Sequence, residues 1–332
     1  MNLSNFTSIW KPAVFQGEGK KKEYFEGWYF KLVDKDEETA YAVIPGISIS
    51  KDPLKSHAFV MFSDARNHKM HYFQYSITDF QFKRDKFEIN IDKNFFSMDC
   101  IYLDLKNAQS EIKAQLRFKG AYPWPVKFLS PGVMGWYAFI PFMECYHGVL
   151  SFDHSIEGYI DIGGKKKDFT SGKGYIEKDW GTSMPSSWIW MQSNHFNGDK
   201  ISLFGSIAKI PWLKNYFTGY IFGFLYKDHL YRFTTYTGAK INKLNVSNNE
   251  ISLMVEDKHY GLELNAKREK GVDLPAPSLG EMTAKVNETL SSSINLNFYK
   301  KNGGRNEMIF SGSGRNAGLE FVGDIEELLM GF

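Results

Sequence analysis

Three stretches of this chain set ionisable side chains among dense aromatic ones. The richest is residues 174–196, GYIEKDWGTSMPSSWIWMQSNHF, where strand alternation places Tyr175, Glu177 and Asp179 on one face. After a turn at 181–185, Trp188, Trp190, Gln192, Asn194 and Phe196 share a face of the next strand. Two carboxylates two residues apart, facing tryptophans, suit general-acid chemistry in an apolar cavity. Burial raises one pKa and the like-charged neighbour raises it further. The plainer account ties Glu177 and Asp179 up in hydrogen bonds or ion pairs with Lys178 or Arg232.

The second stretch, residues 130–158, reads SPGVMGWYAFIPFMECYHGVLSFDHSIEG. Alternation from Glu144 puts Glu144, Tyr146, Leu150, Phe152 and His154 on one face, with His147 and Asp153 on the other. A carboxylate beside Phe142, Met143 and Tyr146 is either paired or holds its proton more tightly than usual. A histidine among aromatics is more often a core residue than a catalyst. The third stretch, YFEGWYFKL at 24–32, puts Glu26, Trp28 and Phe30 on one face and Phe25, Tyr29 and Lys31 on the other. It reads as an opening barrel strand with Glu26 reaching the rim.

Other chemistries leave no mark. GxGxxG before a helix, GxxxxGK[ST], GxSxG and HExxH do not occur, so no cofactor is expected. His68 and His71 flank Lys69-Met70 in a turn with no third ligand in view, so no metal is expected there. The serine run 291–293 reads as structural.

Elements of period 2 must position these groups. Strand-like runs cover 24–33, 41–49, 57–63, 70–82, 87–91, 101–105 and 112–118, then 146–162, 174–179, 188–197, 201–209, 216–226, 229–237, 251–256, 261–266 and 293–299. Between them stand turn formers such as Asn197-Gly198-Asp199, Lys227-Asp228 and Asn302-Gly303-Gly304. The only good helix is 321–330, with Val322, Ile325, Leu328 and Leu329 on one face. About sixteen short antiparallel strands predict an all-β chain, in barrels or a sandwich. A boundary at 160–170 gives domains 1–165 and 166–332.

Composition narrows the partners. Forty Lys+Arg against 38 Asp+Glu leave +2, which gives no electrostatic case for nucleic acid. Sixteen per cent aromatic residues suit walls around a bulky apolar ligand. Two cysteines, Cys100 and Cys145, read as reduced thiols and point to the cytoplasm. The opening MNLSNFTSIWKP has no secretory pattern. The longest apolar runs, 133–143 and 217–226, fall short of the ~18 residues of a membrane helix. A soluble protein is expected, with peripheral membrane contact left open and the oligomeric state not legible.

At FEGWYFK, at GWYAFIPFMEC with the histidines after it, and at 174–196, the sequence resembles the tocopherol cyclase family. Residues 280–296 and 311–324 extend the likeness over nearly the whole chain. A wider resemblance, to carotenoid 1,2-hydratases, rests on the acid, base, acid and Trp of Glu177, Lys178, Asp179 and Trp180, then Trp188-x-Trp190. The resemblance implies two lipocalin-like β-barrel domains and a reaction. That reaction is acid-initiated, redox-neutral closure of a prenylated hydroquinone to a chromanol, an isomerase-type intramolecular lyase step. It makes Glu177 the first choice of acid, with Asp179 or Glu144 in reserve and His154 and His147 as positioning groups. Trp28, Tyr29, Trp180, Trp188, Trp190 and Asn194 would contact the substrate. The alternative is a non-catalytic carrier of a lipid or quinone, which needs apolar walls but no acid facing them. The start directly at the first strand, with no plastid-type extension, fits a bacterial chain whose substrate need not be a tocopherol precursor.

Overall fold

Alternating segments separated by turn formers build antiparallel strands along nearly the whole chain. A computed structural model describes residues 8–213, 215–303 and 305–329. The opening heptapeptide, which carries part of the no-leader reading, lies outside these, as do Gly304 and Met330.

The first strands are β1 (Tyr24–Val33), β2 (Ala40–Ile49), β3 (His57–Asp64), β4 (Lys69–Ser76), β5 (Phe80–Phe82), β6 (Glu88–Ile91) and β7 (Asn94–Ser97). β8 (Cys100–Lys106), β9 (Glu111–Lys119), β10 (Val126–Lys127), β11 (Ser130–Pro131), β12 (Cys145–Ile162), β13 (Lys165–Asp168) and β14 (Gly172–Gly181) follow. The remainder are β15 (Trp188–Ser193), β16 (Ile201–Trp212), β17 (Asn215–Tyr226), β18 (His229–Thr234), β19 (Lys240–Val246) and β20 (Glu250–Glu256). They end with β21 (Tyr260–Lys267), β22 (Val272–Ser278), β23 (Glu281–Asn302), β24 (Arg305–Val322) and a helix α1 (Ile325–Leu329).

Two large antiparallel sheets result, and the all-β, lipocalin-like reading holds. The first runs β4-β3-β2-β1-β14-β12-β9-β8-β7-β6-β5, with β13 on β12; the second runs β18-β17-β16-β15-β24-β23-β21-β20-β19, with β22 on β23. The chain divides into two compact units, Met1–Met184 with Leu274–Lys285, and Pro185–Asp273 with Val286–Phe332. Each sheet curls about its own core. Trp28, Phe30, Phe62, Phe96, Leu116 and Ile176 fill the first, and Ile189, Leu203, Phe224, Leu264, Phe298 and Leu319 the second. Full burial of one such side chain contributes about 1.5–3 kcal/mol.

Burial along the strands locates the site. β8 and β9 alternate, with Ile112, Ala114, Leu116 and Phe118 inward and Lys113, Gln115 and Arg117 outward. β1, β2 and much of β14 are buried on both faces. A strand covered on both sides has no solvent for its polar residues, which must therefore find partners within the protein.

Several segments depart from expectation. The 70–82 run is broken by a 3-10 turn, Ile77–Asp79, because Ser76 and Asp79 close a capping box around it. β23 begins at Glu281 instead of 293, and β24 was not foreseen. Glycines hid it, since Gly312, Gly314 and Gly318 blur the period-2 pattern. They are there because a Cβ on Gly318 would strike the Trp190 ring, and one on Gly314 the Phe196 ring. α1 is only five residues long, with Leu328 buried.

Candidate functional site

β14 lies between β1 and β12, and the register fixes which side chains meet. On β1, Tyr29 stands opposite Glu177 and Lys31 opposite Tyr175; on β12, His147 stands opposite Asp179 and Val149 opposite Glu177. One face of three neighbouring strands therefore gathers Tyr175, Glu177, Asp179, His147 and Tyr29.

His147 sits between the two carboxylates. Its Nδ1 is 2.8 Å from Asp179 Oδ1 and its Nε2 is 3.6 Å from Glu177 Oε2. Tyr175, fully buried, donates its hydroxyl to Glu177 Oε2 at 2.6 Å. Cys145 Sγ approaches Asp179 Oδ1 at 3.8 Å. Burial alone would strip the imidazole of its proton, but Asp179 and Glu177 outweigh it and lift the His147 pKa to about 9. Burial and the facing carboxylates push the Tyr175 hydroxyl and the Cys145 thiol up as well, so both stay protonated. The imidazolium is not sealed in, since its side chain is 15% exposed and that of Asp179 is 23% exposed. The arrangement holds an imidazole between two carboxylates with partial access to solvent.

A cation has donors here too: one atom each from His147, Glu177 and Asp179 lies within 4.8 Å of the others. Nδ1 is at hydrogen-bond length from Asp179, so a proton bridges that pair, whereas Nε2 and Glu177 at 3.6 Å are beyond it. Binding a metal here would require an imidazole nitrogen to give up its proton.

The other face of β14 belongs to a different network. Lys178 and Glu26 form an ion pair at 2.6 Å, both fully buried. Lys178 Nζ also donates to the carbonyls of Pro12 (2.9 Å) and Val14, and lies over the rings of Trp28 (4.8 Å) and Trp180 (4.6 Å). Glu26 accepts from the Gln16 backbone N–H (2.9 Å) and the Tyr24 hydroxyl. Burial pushes the Glu26 carboxyl up, against the pull of Lys178, and pushes Lys178 down to about 8. Glu26 is thus a core residue and does not reach the rim.

The remaining expected residues are spread out. Trp28 is in the first core, stacked on Phe87 (5.2 Å) and donating to the Ala13 carbonyl (3.0 Å), on the face opposite Glu177. Trp180 stacks on Tyr146 (5.7 Å) beside it. His154 is in the same core, 4.7 Å from the Phe118 ring, and burial lowers its pKa to about 3. Glu144 is exposed, and what it brings to β14 is its carbonyl, accepting from Thr182 N at 2.8 Å. In the second unit Trp188, Trp190 and Asn194 are buried, and Trp188 Nε1 donates to Glu320 Oε2 at 2.7 Å. Tyr175, Cys145 and Lys31 were not singled out as site residues. The signal for Tyr175 was its shared parity with Glu177; the link to His147 needed a cross-strand register spanning about thirty residues.

A family model described as tocopherol cyclase-like matches residues 99–323. A rice protein named probable tocopherol cyclase, chloroplastic (Oryza sativa subsp. japonica), is 27% identical over 211 residues, 61% of this chain and 45% of that protein. The maize (Zea mays) tocopherol cyclase, chloroplastic, is also 27% identical over 211 residues, 61% of this chain and 44% of that protein. The match thus spans less than half the length of these curated relatives. Among solved structures, CghA with Sch210972 superimposes with a TM-score of 0.54 at 10% identity, covering 90% of this chain and 89% of that one. At that identity the likeness concerns the fold.

Proposed function

Because the chain belongs to the tocopherol cyclase-like family, we propose that it closes a ring on a prenylated hydroquinone or related polyprenyl molecule by proton transfer, without redox change. The observation that carries this is the placing of His147 between Asp179 and Glu177 on a largely buried face, where the two carboxylates favour its charged form. His147 stores the proton and Glu177, 3.6 Å from Nε2, passes it to the alkene. The C=C bond gains a hydrogen and leaves a tertiary cation, the phenol oxygen closes the C–O bond, and the phenolic proton returns to the Asp179–His147 pair. Atoms and electrons balance, and the product is an isomer of the substrate. Tyr29, opposite Glu177, offers an aromatic face to the cation.

The free thiols Cys100 and Cys145 accord with a reducing cytoplasm as the place of action. Among the described residues no helix is long and apolar enough to cross a membrane. Glu177→Gln tests the reading: turnover of a prenylated hydroquinone should vanish while binding, followed by quenching of tryptophan fluorescence, stays within about threefold, a change under 1 kcal/mol. Equal loss of binding and turnover would make Glu177 structural. A wild-type protein that binds the quinol and returns it unchanged would make this a carrier.

A further inference from the structure

Between Lys119 and Glu144 the chain carries one charged residue, Lys127, although 23% of the whole chain is charged. The segment buries Trp124, Val133, Met134 and Met143 but leaves other large apolar groups in water. β10 and β11 form a two-stranded hairpin, and the residues at its tip are Phe128 and Leu129, 77% and 74% exposed. Tight turns favour Gly, Asn, Asp, Ser and Pro, so a Phe-Leu tip in water goes against local preference and solubility alike. Such violations cluster where a protein does something. Val126 (43%), Trp136 (44%) and Phe142 (49%) are exposed around it.

The hairpin is a built element. The Trp10 indole N–H donates to the Phe128 carbonyl at 2.9 Å, and its ring stacks on Phe128 (5.8 Å) and meets Phe139 edge-on (5.6 Å). One tryptophan thereby ties the tip to the 3-10 turn Gly135–Phe139, which carries Trp136. The segment runs on through Glu144 into β12, whose third residue is His147.

We propose that this hairpin inserts its tip into the surface of a lipid bilayer. The chemistry fits that occupant: two large apolar side chains at the apex enter the acyl boundary, Trp136 suits the interfacial layer, and exposed Lys127 beside the tip meets anionic headgroups. Glu144, at the far end, is the acidic residue that must stay clear of the surface. If the ring-closing reading holds, a membrane-dissolved prenyl substrate is taken up by the segment that leads into the strand carrying His147, but the docking surface stands without that reading.

The test is flotation of the full chain with vesicles of phosphatidylcholine, and of phosphatidylcholine with phosphatidylglycerol, alongside a Phe128→Ser/Leu129→Ser double variant and Lys127→Gln. The wild type should float with both and better with the anionic ones. The double variant should lose at least about tenfold in partitioning on both, because removing two apolar anchors removes their transfer free energy. Lys127→Gln should lose about fivefold, on the anionic vesicles alone, as one basic residue near such a surface contributes about one headgroup interaction. Both tip residues are exposed and the Trp10 hydrogen bond to the 128 carbonyl survives, so the double variant should lose no more in thermal unfolding than the Trp10 stacking on Phe128, and turnover of detergent-dispersed quinol should be unchanged. A wild type that stays with the unbound protein, or a double variant that floats equally well, overturns the proposal. So does self-association that the double variant abolishes, which would make the tip a protein contact.

Discussion

Two histidines show how surroundings alone decide a proton. His147 and His154 lie seven residues apart on β12, but on opposite faces. For His147, burial works against the charge and two carboxylates more than restore it, giving a pKa of about 9. For His154, burial among aromatics acts unopposed and gives about 3. The consequences for stability have opposite signs. A folded pKa above the unfolded ~6.5 adds stability that is fully present below pH 6.5 and is lost as pH rises through about 9. A lowered one adds stability that is present above pH 6.5 and is lost as pH falls toward 3. Urea unfolding across pH should therefore show losses on both sides. His154→Leu should flatten the acid limb by up to about 1.4 kcal/mol per pH unit while leaving the alkaline limb in place. An acid limb unaffected by His154→Leu would mean that the imidazole is hydrated in the native state.

At the scale of the element, β14 carries two unrelated jobs on alternate residues. Glu177 and Asp179 face His147, while Lys178 between them turns into the first core to meet Glu26. That split was legible in the sequence, because period-2 alternation needs no knowledge of partners. The pairing was not: Lys178 looked like a counter-ion for its own neighbours, and its true partner lies on β1. The strand hidden by Gly312, Gly314 and Gly318 was lost for a similar reason, as Gly314 and Gly318 answer to the rings of Phe196 and Trp190, more than a hundred residues away. Lys178 also holds the 12–14 carbonyls against the core, so it joins three separate segments. Lys178→Met should cost about 3–5 kcal/mol, chiefly by leaving the Glu26 carboxylate buried without its cation. Adding Glu26→Gln should recover a good part of that loss in denaturant titrations. If the double variant is no better than the single, the carbonyl contacts of Lys178 matter more than the ion pair.

At the scale of the molecule, the first unit is not a continuous length of chain. Residues 274–285 return to it from the far half of the sequence, and their hydrogen bonds say what they do there. Gly280 N–H donates to the Thr182 carbonyl (2.7 Å), Leu279 N–H to Ser183 Oγ (2.8 Å), and Ser48 Oγ to the Gly280 carbonyl (2.6 Å). Glu281 accepts from Ser50 Oγ at 2.7 Å and pairs with Lys55 at 3.1 Å. Gly280 comes so close to Ile49 and Tyr24, at φ +76°, that no side chain fits there. The segment clips β2, the start of β1 and the end of β14 together, just beyond the carboxylates of the site. No sequence pattern announces such a return, because three of the five contacts use the segment's backbone and they join residues 96 to 232 apart. A fragment of residues 1–184 should therefore be weaker than the same fragment with 274–285 joined by a flexible linker. Loss of about five hydrogen bonds at 0.5–1.5 kcal/mol each amounts to roughly 3 kcal/mol or more, which is about 6–12 °C in Tm for a unit of this size. Calorimetry of the two fragments decides it. Equal melting would mean that β1, β12 and β14 hold the site without the clip, whereas the expected gap would make the distant segment part of what keeps His147 between its carboxylates.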